Sequence, residues 1–140
     1  MQNEIKFLLN LKGLNAHREV DEKSITSRCA DILIDLLQQY GRVFILSTSE
    51  VKKEYASLQL NISATDRHLL LSDAHLLITD NYTLAEVAQK QHTKTIFYSP
   101  YAHLFRDRQG KFFTAIPIDN EKQLLTAVTE LLNNPASYLK

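Results

Sequence analysis

The chain alternates between short apolar runs and longer segments in which apolar residues recur at helical spacing. Apolar runs of about four to eight residues are typical of strands that are covered on both faces, as in a parallel sheet. Six segments are predicted to be extended, at residues 5–11, 43–46, 58–62, 76–79, 95–98 and 112–118. Together they are expected to supply the strands of one sheet.

Helical periodicity fills most of the intervals between these runs. Residues 21–40 carry Ile25, Cys29 and Leu33 on one apolar face, and Gly41 is the predicted end of that helix. Its place on this face predicts that Cys29 is a core residue and not a nucleophile. Further helices are predicted over residues 63–74, 83–92 and 119–132, with a helical turn over residues 50–57. Their predicted N-caps are Ser63, Thr83 and Asp119.

Strands that alternate with helices predict a parallel sheet with helices on both faces. No repeat, linker or low-complexity stretch interrupts residues 1–140. The sequence therefore predicts a single Rossmann-like domain, a three-layer α/β/α arrangement with a mostly parallel sheet. Ligands of such domains bind outside the carboxyl ends of the strands, so the residues that follow each strand are the candidates for function.

Composition and charge limit the classes of function. The chain has 16 basic and 16 acidic residues, which gives no broad attraction for nucleic acid or for an anionic membrane. No segment approaches the roughly 20 apolar residues of a membrane span, and the start "MQNE" lacks the basic residues of a signal peptide. A single cysteine, Cys29, excludes an internal disulfide. We therefore expect a cytoplasmic domain with no membrane span and no nucleic-acid partner.

Three blocks of sequence resemble, in order, the donor-binding half of GT-B glycosyltransferases. They are "LNAHREVDEKSI", "YGRVFILSTS" and "LNISATDRHLLLSDAHLLITDNYTLAEVA". The similarity is to a family of predicted glycosyltransferases related to the UDP-N-acetylglucosamine 2-epimerases. It implies a UDP-sugar donor as substrate and no required metal or other cofactor. Because 140 residues supply only one of the two domains of such an enzyme, it also implies that a second domain or subunit binds the acceptor.

The resemblance assigns roles to residues around the start of the helix that follows the strand at residues 76–79. Thr83 would face the diphosphate beside the turn residues Asp80 and Asn81, and Glu86 would bond the ribose hydroxyls. A helix N-terminus carries unpaired amides and about half a positive charge, which suits a diphosphate. Catalysis would then be mostly electrostatic stabilisation of the leaving diphosphate.

The resemblance also implies which residues lie near the sugar. His17 belongs to the first block, at a strand end that is placed near the bound donor. The stretch "HLFRDRQ" resembles the sugar-contacting loop of the N-acetylglucosaminyltransferase that makes lipid II. That similarity implies that His103, Asp107 and Gln109 approach the sugar.

The residues alone leave a second interpretation of Glu86 open. The sequence "TLAE" matches a capping box, in which Thr83 is the N-cap and Glu86 turns back to bond the helix backbone. A glutamate in that role needs no ligand. The choice between ribose ligand and helix cap therefore decides how much can be inferred about function.

Two other classes of function also stay open. The chain has only three glycines and the turn "TDNYT" has none, which favours a non-catalytic interaction domain that keeps the fold without binding a donor. Asp80, at the end of "LLITD", resembles an aspartate of PIN-type nucleases, whose clustered carboxylates bind magnesium. The first strand supplies no second aspartate for such a cluster. The five histidines also lack the close spacing that is typical of a metal site.

Overall fold

A computed structural model describes residues 5–16, 24–47, 50–60, 70–99 and 115–137. Six strands form one sheet with the order β3-β2-β1-β4-β5-β6. The strands are β1 (Lys6–Asn10), β2 (Arg42–Leu46), β3 (Gln59–Leu60), β4 (Leu76–Thr79), β5 (Thr95–Tyr98) and β6 (Ile116–Ile118). Every neighbouring pair is parallel. The predicted Rossmann-like α/β fold is confirmed.

The described residues include three longer helices, of which the first two connect strands and the third follows the last strand. They are α1 (Ser27–Gln38), α2 (Tyr82–Lys90) and α3 (Glu121–Leu132). Residues 70–73 are also helical, at the end of the segment predicted over residues 63–74, whose proposed cap Ser63 lies outside the described residues. Short 3-10 turns lie at Lys12–Leu14, Lys53–Leu58 and Pro135–Ser137.

The helices cover both faces of the sheet, because alternate residues of each strand point to opposite sides. Phe7 and Leu9 of β1 join the core cluster that contains Leu33 of α1 and Val128 of α3. Leu8, between them, joins the second cluster, which contains residues of α2 and of the helical segment 70–73. Cys29 is 4% exposed within the first cluster, so its predicted place in the core is confirmed.

The strand order places a topological switch point between β1 and β4. From β1 the chain runs outward to β2 and β3, and from β4 it runs outward in the opposite direction to β5 and β6. The connections that leave β1 and β4 therefore diverge to opposite faces of the sheet. In open α/β sheets the crevice created by this divergence is the usual ligand site.

Gly13 lies in the 3-10 turn directly after β1 and is needed there for packing. A β-carbon at this position would lie 2.4 Å from the Ile25 carbonyl oxygen and 2.9 Å from Cγ1 of the same residue. Both distances are shorter than any real contact of a β-carbon. Gly13 therefore lets this turn lie directly against the segment that leads into α1.

His92 takes the place of the glycine that commonly follows a helix. Its φ is 61°, a left-handed conformation that non-glycine residues seldom adopt. The His92 N–H donates to the Gln89 carbonyl (2.9 Å) and the Thr93 N–H donates to the Ala88 carbonyl (3.0 Å), which completes a Schellman motif. The end of α2 is therefore regular although "QKQHTKTI" contains neither glycine nor proline.

Pro117 lies in the middle of the edge strand β6. The Ile118 carbonyl accepts a hydrogen bond from the Ser99 N–H (2.9 Å), so the peptide groups of Ile118 face β5 and those of Pro117 face the outer side of the sheet. Proline has no N–H to offer on that side. At the opposite edge, the described part of β3 is Gln59–Leu60.

Candidate functional site

The ends of β1, β2 and β4 are joined by a short network of polar side chains. The Asn10 side-chain amide donates to the Leu46 carbonyl (2.8 Å), and its Oδ1 accepts from the Thr79 hydroxyl (2.7 Å). The Thr79 oxygen in turn accepts from the Asn81 N–H (3.0 Å). Thr79 has no exposed surface, so these bonds satisfy a polar group that is fully buried. The network fixes the floor of the switch-point crevice.

Asp80 connects the two loops that diverge at the switch point. Its Oδ2 accepts from the Lys12 N–H (2.8 Å), and its own N–H donates to the Asn10 carbonyl (3.1 Å). The first bond joins residues 68 apart in the sequence and holds the 3-10 turn after β1 against the end of β4. Sequence reasoning identified Asp80 but missed Asn10 and Lys12, because their partners come from distant segments.

The N-cap of α2 is Asn81. Its Oδ1 accepts from the Leu84 N–H (3.0 Å), and its backbone is extended (φ −103°, ψ 113°). The predicted capping box is therefore wrong, because Thr83 is the second residue of the helix and not its cap. Among the described residues, no hydrogen bond joins the Glu86 carboxylate to the start of its own helix. A similar error, of one residue and not two, occurs at α3, where Asn120 and not Asp119 is the cap.

We expect a substitution at Asn81, the cap of α2, to lower the stability of the protein measurably, and a substitution at Thr83 to have little effect. Asn81→Ala should lower the free energy of unfolding by about 1 kcal/mol, because one buried helix amide loses its acceptor. Thr83→Ala should change it by less than about 0.5 kcal/mol. Urea denaturation of the two variants beside the wild type checks this. A loss of stability in Thr83→Ala alone would instead support the capping box.

The residues that the sequence assigned to a diphosphate and a ribose lie on the first turns of α2. Thr83 is exposed, and Glu86, nearly one turn further on, is partly buried. Asn81 accepts the Leu84 amide, whereas the Thr83 amide precedes the first intrahelical bond of α2. Tyr82 is 38% exposed, and its ring contacts the Phe97 ring edge-to-face at 5.9 Å.

Four predicted ligand contacts cannot be placed on this site. His17, His103, Asp107 and Gln109 all lie outside the described residues. Their proximity to a bound sugar therefore stays a prediction. Within the described part of the chain, the structure brings Asp80, Asn81, Thr83 and Glu86 to the same edge of the sheet.

The described residues contain no group of three or more histidine, cysteine, aspartate or glutamate side chains that could hold a metal ion. His75 is buried, and its Nδ1 accepts from the Lys6 N–H (3.1 Å) at the opposite edge of the sheet from the switch point. The Asp80 carboxylate is bonded to a backbone amide. These residues therefore give the PIN-type nuclease alternative no support.

A second polar cluster lies at the same edge of the sheet, where α1 and α3 begin. The Glu121 Oε2 accepts from the Thr26 N–H (2.6 Å) and the Thr26 hydroxyl (3.0 Å). Burial, the Glu121 charge and a hydrogen bond to Glu121 raise the pKa of the nearby Cys29 thiol to about 12. We call Thr26, Cys29 and Glu121 the Glu121 cluster. Sequence reasoning missed it because Thr26 and Glu121 are 95 residues apart.

Tyr98 ends β5 beside this cluster. Burial, followed by the charges of Glu121, Cys29, Asp119 and Asp80, raises its pKa to about 12. Its side chain therefore remains a neutral hydroxyl, able to donate a hydrogen bond, over the physiological pH range.

Comparison of the chain with protein-family models, curated proteins and solved structures found no match. Over the described part of the chain, no helix has both the length and the apolar character needed to cross a membrane.

Proposed function

We propose that this domain binds a UDP-sugar at the switch-point crevice and is the donor-binding half of a GT-B-type glycosyltransferase. The observation that carries the proposal is the capping of α2 by Asn81. Because Asn81 performs this role, neither Thr83 nor Glu86 is needed to start the helix. Helix capping is therefore no longer an alternative to ligand binding as the role of Glu86.

The position of α2 supports a diphosphate as part of the ligand. Only two residues separate the end of β4 from the first residue of the helix, so its positive end lies at the switch point where ligands of this fold bind. Thr83 is an exposed residue at that end, and its hydroxyl and amide are suited to bond phosphate oxygens. Glu86, nearly one turn along, would accept hydrogen bonds from the ribose hydroxyls.

The rest of the enzyme would come from elsewhere. A second domain or subunit would bind the acceptor and supply the base that activates it. This domain would contribute electrostatic stabilisation of the leaving UDP, with no cofactor required. The single cysteine is in keeping with a place in the cytoplasm, where we propose that the domain acts.

One observation favours a second candidate, a non-catalytic interaction domain. The polar groups of the crevice floor bond one another: Asn10 uses both ends of its amide, Thr79 both donates and accepts, and Asp80 accepts a backbone amide. A floor that is satisfied in this way needs no ligand for its stability. In this candidate the GT-B resemblance reflects ancestry, and the domain contributes only a surface.

Titration of UDP and UDP-N-acetylglucosamine by calorimetry separates the two candidates. We expect saturable binding to the wild type and a roughly tenfold weaker affinity for Glu86→Ala, since hydrogen bonds to a charged group contribute about 1.5–3 kcal/mol. Thr83→Val should also lower the affinity for UDP. Glu130→Ala, which removes an exposed glutamate from α3, is the matched control and should bind like the wild type.

The outcomes are distinct. No binding at millimolar UDP would reject the glycosyltransferase proposal and leave the interaction domain. Binding that is equal in Glu86→Ala and the wild type would confirm a ligand but remove Glu86 from its site.

A further inference from the structure

The Tyr98 hydroxyl is a buried donor, and none of the described residues provides an acceptor for it. Tyr98 is 6% exposed and packs in the same core cluster as Cys29. None of the described residues forms a hydrogen bond to its hydroxyl. Buried polar groups are nearly always bonded, so one that is not calls for a partner from outside the protein. The other deeply buried tyrosine is different, because the Tyr55 hydroxyl donates to Asp31 (2.5 Å).

The groups around Tyr98 indicate the chemistry of that partner. Among the charged groups, Glu121 has the largest effect on Tyr98, and its carboxylate already accepts two bonds from Thr26 and one from the Cys29 thiol. A carboxylate has about four acceptor positions, so roughly one remains. The other charges that act on Tyr98 come from Asp119 and Asp80, which are also acidic. Acidic surroundings disfavour a phosphate or a carboxylate here and admit a neutral group.

A neutral alcohol can form hydrogen bonds with both the Tyr98 hydroxyl and the Glu121 carboxylate. It can accept a hydrogen bond from the Tyr98 hydroxyl and donate one to the Glu121 carboxylate. We propose that Tyr98 and Glu121 together bind a sugar hydroxyl of the ligand. This inference depends on the proposed function, and it adds a contact on the opposite face of the sheet from α2.

The distances within the fold allow one ligand to reach both places. Tyr98 ends β5, and α2 begins just after β4, its direct neighbour in the sheet. Adjacent strands lie about 4.8 Å apart. A ligand whose diphosphate lies at the start of α2 therefore has a hydroxyl of either its ribose or its transferred sugar within reach of Tyr98.

The test compares Tyr98→Phe with the wild type in calorimetric titrations of UDP and of UDP-N-acetylglucosamine, with thermal melting of each protein. We expect Tyr98→Phe to bind roughly three- to tenfold more weakly while it melts at the same temperature or higher, because the variant loses a buried hydroxyl that no described residue bonds. Tyr55→Phe is the matched control: it should melt lower and bind like the wild type, because its hydroxyl serves Asp31.

The comparison of the two ligands shows whether Tyr98 bonds a hydroxyl of the ribose or of the transferred sugar. A loss seen with UDP places the ribose on Tyr98, and a loss seen only with UDP-N-acetylglucosamine places the transferred sugar there. If the wild type binds and Tyr98→Phe binds equally, this inference fails while the proposed function stands. If Tyr98→Phe melts clearly lower, the hydroxyl has a structural partner and the inference also fails. If the wild type binds neither ligand, both proposals are overturned.

Discussion

Gly13→Ala is expected to destabilise the domain by about 3 kcal/mol, near the upper end of the usual cost of overpacking. The added β-carbon would lie 2.4 Å from the Ile25 carbonyl oxygen, which is backbone and has no rotamer through which to move away. The Lys12 N–H of the same turn is bonded to Asp80 (2.8 Å), which limits how far the turn can shift to relieve the clash. Urea denaturation measures the loss as a lower midpoint.

A second glycine provides the comparison for this variant. A β-carbon at Gly41 would lie 2.5 Å from the Ile5 carbonyl oxygen. This nearly equal clash lies where β1 and β2 begin, at the far end of these strands from the switch point. Gly41→Ala should therefore lower stability by a similar amount without disturbing the switch point. A Gly13→Ala protein as stable as the wild type would show that the turn can move away from Ile25. In that case the space beside β1 would be adaptable and not fixed.

The domain should lose stability in alkaline solution through Cys29. In the unfolded chain this thiol gives up its proton above a pH of about 8.5, whereas burial and Glu121 raise the pKa of the folded thiol to about 12. Between these values the folded state binds more protons than the unfolded state, so the free energy of unfolding falls as pH rises. The expected loss between pH 8 and pH 10.5 is about 2.5 kcal/mol.

Two tyrosines extend the effect to higher pH. Burial raises the pKa of both Tyr98 and Tyr55, so each keeps its proton in the folded state after the unfolded chain has lost it. Their contribution begins above a pH of about 10. Urea midpoints measured at intervals from pH 8 to pH 10.5 therefore follow mainly the thiol.

Cys29→Ser is the control for the alkaline effect. Serine can still donate to Glu121 and does not titrate in this range, so the variant should show a flatter dependence below pH 10. An equally steep loss in Cys29→Ser would assign the alkaline transition to groups other than the thiol.

The strands could be predicted from sequence because each is a compact apolar run. All six predicted segments overlap an observed strand, from β1 within residues 5–11 to β6 within residues 112–118. Their order in the sheet could not be predicted in the same way. The pairing of β1 with β4 aligns Phe7 with Leu76, and nothing local to either strand specifies that partner.

The helix starts show where local patterns fail. Thr83 and Asp119 are good capping residues, but an N-cap is the last residue with an extended backbone, and that residue is Asn81 or Asn120. Each prediction selected an acceptable side chain one or two positions from the residue at which the backbone turns. The error matters for function, because it changes the role left for Glu86.

The polar contacts of the candidate site were beyond sequence reasoning for another reason. Asp80 bonds a backbone amide of Lys12, and a backbone amide leaves no signal in residue type. The place of Tyr98 beside Glu121 depends on how α3 returns across the sheet after β6. Such contacts follow from the packing of whole elements and not from motifs.

Pro117 affects whether the protein associates through the edge of its sheet at high concentration. Exposed sheet edges recruit strands from other molecules, which is the first step toward fibrils and domain-swapped oligomers. Here the outward-facing position of β6 has no N–H. At this edge a companion domain or subunit would therefore pair with the domain through side chains and not by extending its sheet.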